Sequence, residues 1–272
     1  MADKIFDVNN FVIDRIVRGV ALSQEDDSVL FSINQIQNAS LNCASESTDA
    51  VDAMGTPIAT FYRAKSAEFS AENALFDMNL MSTQLGTSKK VAGKDGVTKI
   101  LVPAMESFTA TTSGSYTLKH KPKVIPAEIY ALNGDSTFGT KYVVGTSGKG
   151  TFACDNNGLI TLPTDVTANT EMFVMYEYET ENAVEVVNSA TQFPVGCKFV
   201  MEVLGCDVCD QTNLVYAYVI FNNAKLSPDF DWSIATDGTH PFSMKAQQDY
   251  CDKEKRLDVI AVDCSYLQIV SV

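Results

Sequence analysis

Apolar and polar residues alternate in short runs along most of this chain, and a single stretch carries a helical period. Val29 to Asn34 (VLFSIN) and Ile36 to Asn42 (IQNASLN) have the two-residue period of strands and predict a hairpin. Cys43 to Pro57 (CASESTDAVDAMGTP) has no sustained apolar period and is rich in Ser, Thr, Asp and Ala, which predicts a long loop. Ile58 to Phe69 (IATFYRAKSAEF) then predicts one strand or two. A helix is predicted to follow, with Ser70 as N-cap, Glu72 at its positive end and Gly86 as the left-handed C-terminal residue. Leu75, Met78, Met81 and Leu85 recur three or four positions apart, so that helix should pack one face on a sheet.

Beyond the connector SKKVAGKDGVTK the pattern shortens to strands set about ten residues apart: SYTLKH, AEIYAL, TKYVVG, GTFACD, GLITLP and EMFVMYEYE. Asn133-Gly134, Gly148-Lys149-Gly150 and Asn157-Gly158 punctuate them, as in a small β-sandwich of immunoglobulin-like or similar type. From Asn188 onward strands resume with CKFVMEVLG, LVYAYVIF, DWSIAT, HPFSMKA and RLDVIAV. The expected organisation is a mainly β domain made of residues 1–102 and 188–272, interrupted by an inserted domain at 103–187.

Charge removes one class of function. The formal net charge is -14, and no segment reverses it: acidic and basic residues number 13 and 9 over 1–104, 10 and 5 over 105–186, and 11 and 6 over 187–272. Such a surface repels phosphates, so tight nucleic-acid binding is not expected. No apolar run approaches the roughly 20 residues of a membrane-spanning helix, and MADKIFDVNN lacks the features of a signal peptide. Seven dispersed cysteines then suit reduced thiols made in a cytoplasm.

Candidate chemistry is sparse. Cys206-Asp-Val-Cys209 has the spacing of a metal or redox pair, but Cys197, Cys251, Cys264 and His240 do not supply a second close pair. His120 lies among lysines, His240 precedes a strand, and neither accompanies a nucleophile motif. Trp232 with Tyr216, Tyr218 and Phe221 is a candidate carbohydrate-binding platform, against the alternative that strand aromatics are core. No phosphate-binding or calcium loop is present, so no cofactor and no catalytic or metal residue is assigned. Within Ile5 to Val20 the residues Phe6, Phe11, Ile13 and Ile16 are too apolar to stay in water, and are expected to dock on a neighbouring subunit or ring.

Both flanks carry a resemblance. IATFYRAKSAEFSAENALFDMNLMSTQLGT on one side, and GCKFVMEVLG, AYVIFNNAKLSPDF and DGTHPFSMKAQQDYCDKEKRL on the other, resemble the major tail tube proteins of tailed bacteriophages. The resemblance implies a tube-like β-barrel or sandwich with one packed helix. It also implies a non-enzymatic virion subunit, assembled in the host cytoplasm into rings of commonly six around a lumen that conducts DNA. The partners it implies are further copies of the chain and other virion proteins, with DNA only as passing cargo and no membrane. Glu46, Asp49 and Asp52 are then candidates for an acidic lumen or a ring-stacking loop. The middle block departs from the family pattern and is expected to face outward. A capsid-associated or decoration protein and a carbohydrate-binding β-sandwich protein stay open as alternatives.

Overall fold

The structure, a computed structural model, describes residues 11–112, 114–208, 210–247 and 268–271. The N-terminal flank contains β1 (Phe11–Ser23), β2 (Val29–Ile33), β3 (Ile36–Val51), β4 (Pro57–Asn73) and the helix α1 (Met78–Leu85). The middle holds β5 (Lys90–Val91), β6 (Ile100–Thr109), β7 (Ser115–Thr117), β8 (Glu128–Leu132), β9 (Phe138–Val144), β10 (Thr151–Cys154), β11 (Leu159–Thr161), β12 (Glu171–Thr180) and β13 (Val184–Glu185). The C-terminal flank adds β14 (Gly196–Asp207), β15 (Asp210–Leu226), β16 (His240–Ala246) and β17 (Gln268–Ser271). The fold is mainly β, with one helix among the described residues. The chain divides into two compact units, the flanks up to Lys89 and from Val186 forming unit 1 and Lys90–Glu185 forming unit 2.

Unit 1 is one antiparallel sheet in the order β2-β1-β14-β15-β16-β4-β3, with β17 also paired to β15. Its core forms because alternate residues of these strands face one side: Phe31, Phe69, Phe199, Phe221 and Phe242 meet there, ring centroids 5.8 to 6.4 Å apart. Leu80 of α1 joins this core, fully buried. β2 pairs with β1 and not with β3, so the expected hairpin of residues 29–42 is replaced by two others, β1–β2 and β3–β4.

The helix is shorter than its sequence suggests. Phe69, Ala71 and Asn73 point inward in alternation while β4 pairs with β16 as far as Asn73, so Ser70 and Glu72 are strand residues. Asp77 is the N-cap, its carboxylate accepting from the amides of Asn79 and Leu80, and Leu75 is exposed. Gly86 closes the helix in the left-handed conformation, φ 68°.

Unit 2 is a seven-stranded sheet in the order β6-β12-β8-β9-β10-β11-β7. The first half of β10 pairs in parallel with β9 and the second half pairs with β11. The buried side chains of its core include Phe108, Ile129, Phe152, Ile160, Met172 and Val174. β6 straddles the boundary expected at residue 103. Pro103 obscures it in the sequence, and is accommodated because β6 ends the sheet and needs a partner on one side only. Of the strands expected beyond residue 188, DWSIAT is irregular because its apolar residues enter no ladder, and RLDVIAV lies outside the described residues.

Candidate assembly surface

β3 and β4 pair from Ile36↔Asn73 to Val51↔Pro57. β16 accompanies β4 only along Glu68–Asn73. From Cys43 on β3 and Ala67 on β4 to the turn, the hairpin therefore runs, among the described residues, as a two-stranded arm about 30 Å long at the rise of a strand. Among the described residues neither outer edge of that length meets another strand. Asp52 shapes the turn, its carboxylate accepting from the amides of Met54 and Thr56 at 2.8 Å each, and Gly55 takes φ 86° there.

The stretch expected to be a long loop is thus a strand and its turn. Cys43 to Val51 lacks apolar alternation because both faces of the arm meet solvent, and its ladder partner is the β-branched and aromatic run of β4. Glu46 stands opposite Arg63 in the register, just past a bulge, and Asp49 stands opposite Thr60, whose hydroxyl donates to the Asp49 carboxylate at 2.7 Å. That bond puts Asp49 and Thr60 on one face, and strand alternation adds Ile58 and Tyr62 to it. Phe61 lies on the opposite face. Ile58 is 71% exposed, Tyr62 73% and Phe61 56%. One face of the arm therefore presents Ile58 and Tyr62 to water, and the other presents Phe61.

The N-terminal candidates separate. Phe11 and Ile16 are partly buried against the core of their own unit, where β1 is zipped to β14 from Phe11↔Asp207 to Ser23↔Cys197. Ile13 stays exposed, and Phe6 lies outside the described residues. On the same sheet Glu202 is nearly buried yet satisfied, accepting from Arg18 Nε at 2.7 Å and from the Tyr218 hydroxyl at 3.0 Å. The Glu202 carboxylate pushes the Tyr218 phenol up.

The other candidate chemistry disperses. Trp232 stacks on Phe76, centroids 4.3 Å apart, while Phe221 is core and Tyr218 is tied to Glu202, so the four rings form no common platform. Cys206 sits in β14 opposite Val12 and Leu214, and Cys209 lies outside the described residues. Burial pushes the Cys197 thiol up to about 11. Among the described residues no group of three or more His, Cys, Asp or Glu is placed to hold a metal ion. None of their helices is long and apolar enough to cross a membrane. His120 stacks on Tyr178, centroids 4.0 Å apart, and His240 is fully buried at the start of β16.

Sequence reasoning also missed Glu106 in unit 2. It is buried and accepts from the hydroxyls of Tyr116 and Tyr176 and from the amide of Lys119. One acid on the inward phase of an otherwise alternating strand was the available signal.

A family model described as the YomU/Tube protein family matches residues 11–256 of the chain. No curated protein matches it.

Proposed function

Because the chain belongs to the YomU/Tube protein family, we propose that it is a structural subunit of a phage tail tube, polymerising into stacked rings around a DNA-conducting lumen. The observation that carries this reading is the β3–β4 arm. A two-stranded ribbon is marginal by itself in water, and long edges that meet no other strand among the described residues, beside exposed apolar side chains, invite pairing with another chain. Further copies of this chain satisfy both needs at once. Arm and sheet meet their counterparts in neighbouring subunits, and Ile13, at the exposed start of β1, belongs to the same interface. Rings of six are the expected unit. Glu46, Asp49 and Asp52 ride on the arm, where their carboxylates keep DNA phosphates from adhering to the lumen or contact the next ring. The protein acts in the virion tail, without catalysis or a cofactor, beside other virion proteins and away from membranes. Unit 2 has a core of its own, and the wall does not require it.

Negative-stain microscopy of the purified chain tests the reading. Hollow rods are expected from the wild type, and dispersed particles with unchanged circular dichroism from the Phe61→Ser, Tyr62→Ser double variant. Rods of normal length and number from that variant, or only monomers from the wild type at any concentration, would overturn it.

A further inference from the structure

We propose that the buried contact of His240 with Gln84 and with the amide of Asp77 is an acid-sensitive latch, which releases α1 from unit 1 when the imidazole takes up a second proton. The bonding around the ring fixes its state. Gln84 Nε2 donates to the Pro241 carbonyl at 3.1 Å, which leaves Gln84 Oε1 as the acceptor 2.8 Å from His240 Nε2. Nε2 therefore carries the hydrogen. On the other side the Asp77 amide is a donor, 3.4 Å from Nδ1, so Nδ1 must be bare. Only the neutral ring with its hydrogen on Nε2 satisfies both neighbours.

A second proton goes on Nδ1, where it meets the hydrogen of the Asp77 amide head-on. No water can intervene, since His240 is fully buried with Phe76 stacked on it at 5.2 Å and Phe230 at 5.7 Å. The charged groups around the ring do not offset this. Asp77 is the ionisable residue at the start of α1, and its carboxylate is engaged by the amides of Asn79 and Leu80. On β4, Glu72 pairs with Pro241, and in the β15–β16 connection Asp229 and Asp231 line an adjoining cleft with Glu72. Burial, the larger effect, holds the imidazole below its ordinary range against the attraction of Asp77.

The strained element is the N-terminus of α1, because the amide that must move belongs to its cap residue. Eight residues of helix have little stability without their packing, and this helix has Leu80 and Leu85 buried and no charged residue between Met78 and Leu85. When the cap shifts, the helix leaves as a unit. Trp232, the single tryptophan of the chain, stacks on Phe76, and so reports on the latch from one ring away.

The experiment is hydrogen exchange of the full chain between pH 8 and 4.5, corrected for the intrinsic pH dependence of exchange, with tryptophan fluorescence followed alongside. Protection of the amides from Asn79 to Leu85 is expected to fall at least about tenfold, together with a fluorescence change whose midpoint lies below that of a free histidine, about 6.5. Unit 2 should keep its protection. Gln84→Glu, which offers the imidazolium a carboxylate, should move the midpoint upward, and His120→Gln should leave it in place. His240→Gln should remove the step. Unchanged protection at Asn79–Leu85, loss only together with the rest of unit 1, or an unmoved midpoint in Gln84→Glu would each overturn the latch. If His240→Gln fails to fold, the Gln84→Glu midpoint still decides.

Discussion

Gly86 shows how much one residue settles in this fold. Its φ of 68° lies in the left-handed region, and a Cβ there would stand 2.2 Å from both the carbonyl carbon and the oxygen of Phe193. Any side chain forces the backbone apart as well as straining its own conformation. Gly86→Ala is expected to cost about 3 kcal/mol, read by denaturant titration of tryptophan fluorescence. This stop was legible in the sequence, because a glycine after the last apolar position of a helical period has a specific physical meaning. The start of the helix was not. Ser70 and Asp77 are both good caps, and what chose between them is β16, which pairs with β4 as far as Asn73 and keeps Ser70 in a ladder. That contact joins residues about 170 positions apart and leaves no local trace.

Elements were legible where one face is wet and the other dry. β12 was found from its alternation, with Met172, Val174 and Tyr176 turned inward. The far part of β3, Cys43 to Val51, was invisible for the opposite reason, since a strand with two wet faces has nothing to alternate. Glu46, Asp49 and Asp52 were therefore expected on a loop and stand on a strand and its turn. In unit 2 three strands are pinned by one carboxylate. Glu106 of β6 joins Tyr116 of β7 and Tyr176 of β12. Desolvation, then the bond to Glu106, pushes the Tyr116 phenol up to about 12, and the same two effects raise Tyr176. A phenol whose folded pKa exceeds its unfolded value of about 10 favours the folded state below pH 10, and that contribution is lost as pH rises through the folded value. Thermal melts of unit 2 are thus expected to fall from about pH 10 upward, and a Tyr116→Phe, Tyr176→Phe double variant should flatten the decline while starting from a lower melting temperature.

At the scale of the molecule there are two cores, each with its own aromatic cluster, in one chain. Unfolding should follow two transitions instead of one. Trp232 belongs to unit 1, so fluorescence tracks that transition alone while circular dichroism sees both; coincident curves would contradict the division. The interruption also sets an order in time. Arg18 meets Glu202 across 184 positions, and β1 has no neighbour on that side until β14 exists. A ribosome adding about 5 to 20 residues each second holds the N-terminal strands unpaired there for roughly 10 to 40 s, while the contiguous middle strands have all they need to fold. Translation thereby acts as a timer. A nascent chain cannot present a finished sheet to another copy until β14 and β15 have left the exit tunnel, so growth of any polymer draws on subunits that have passed that point.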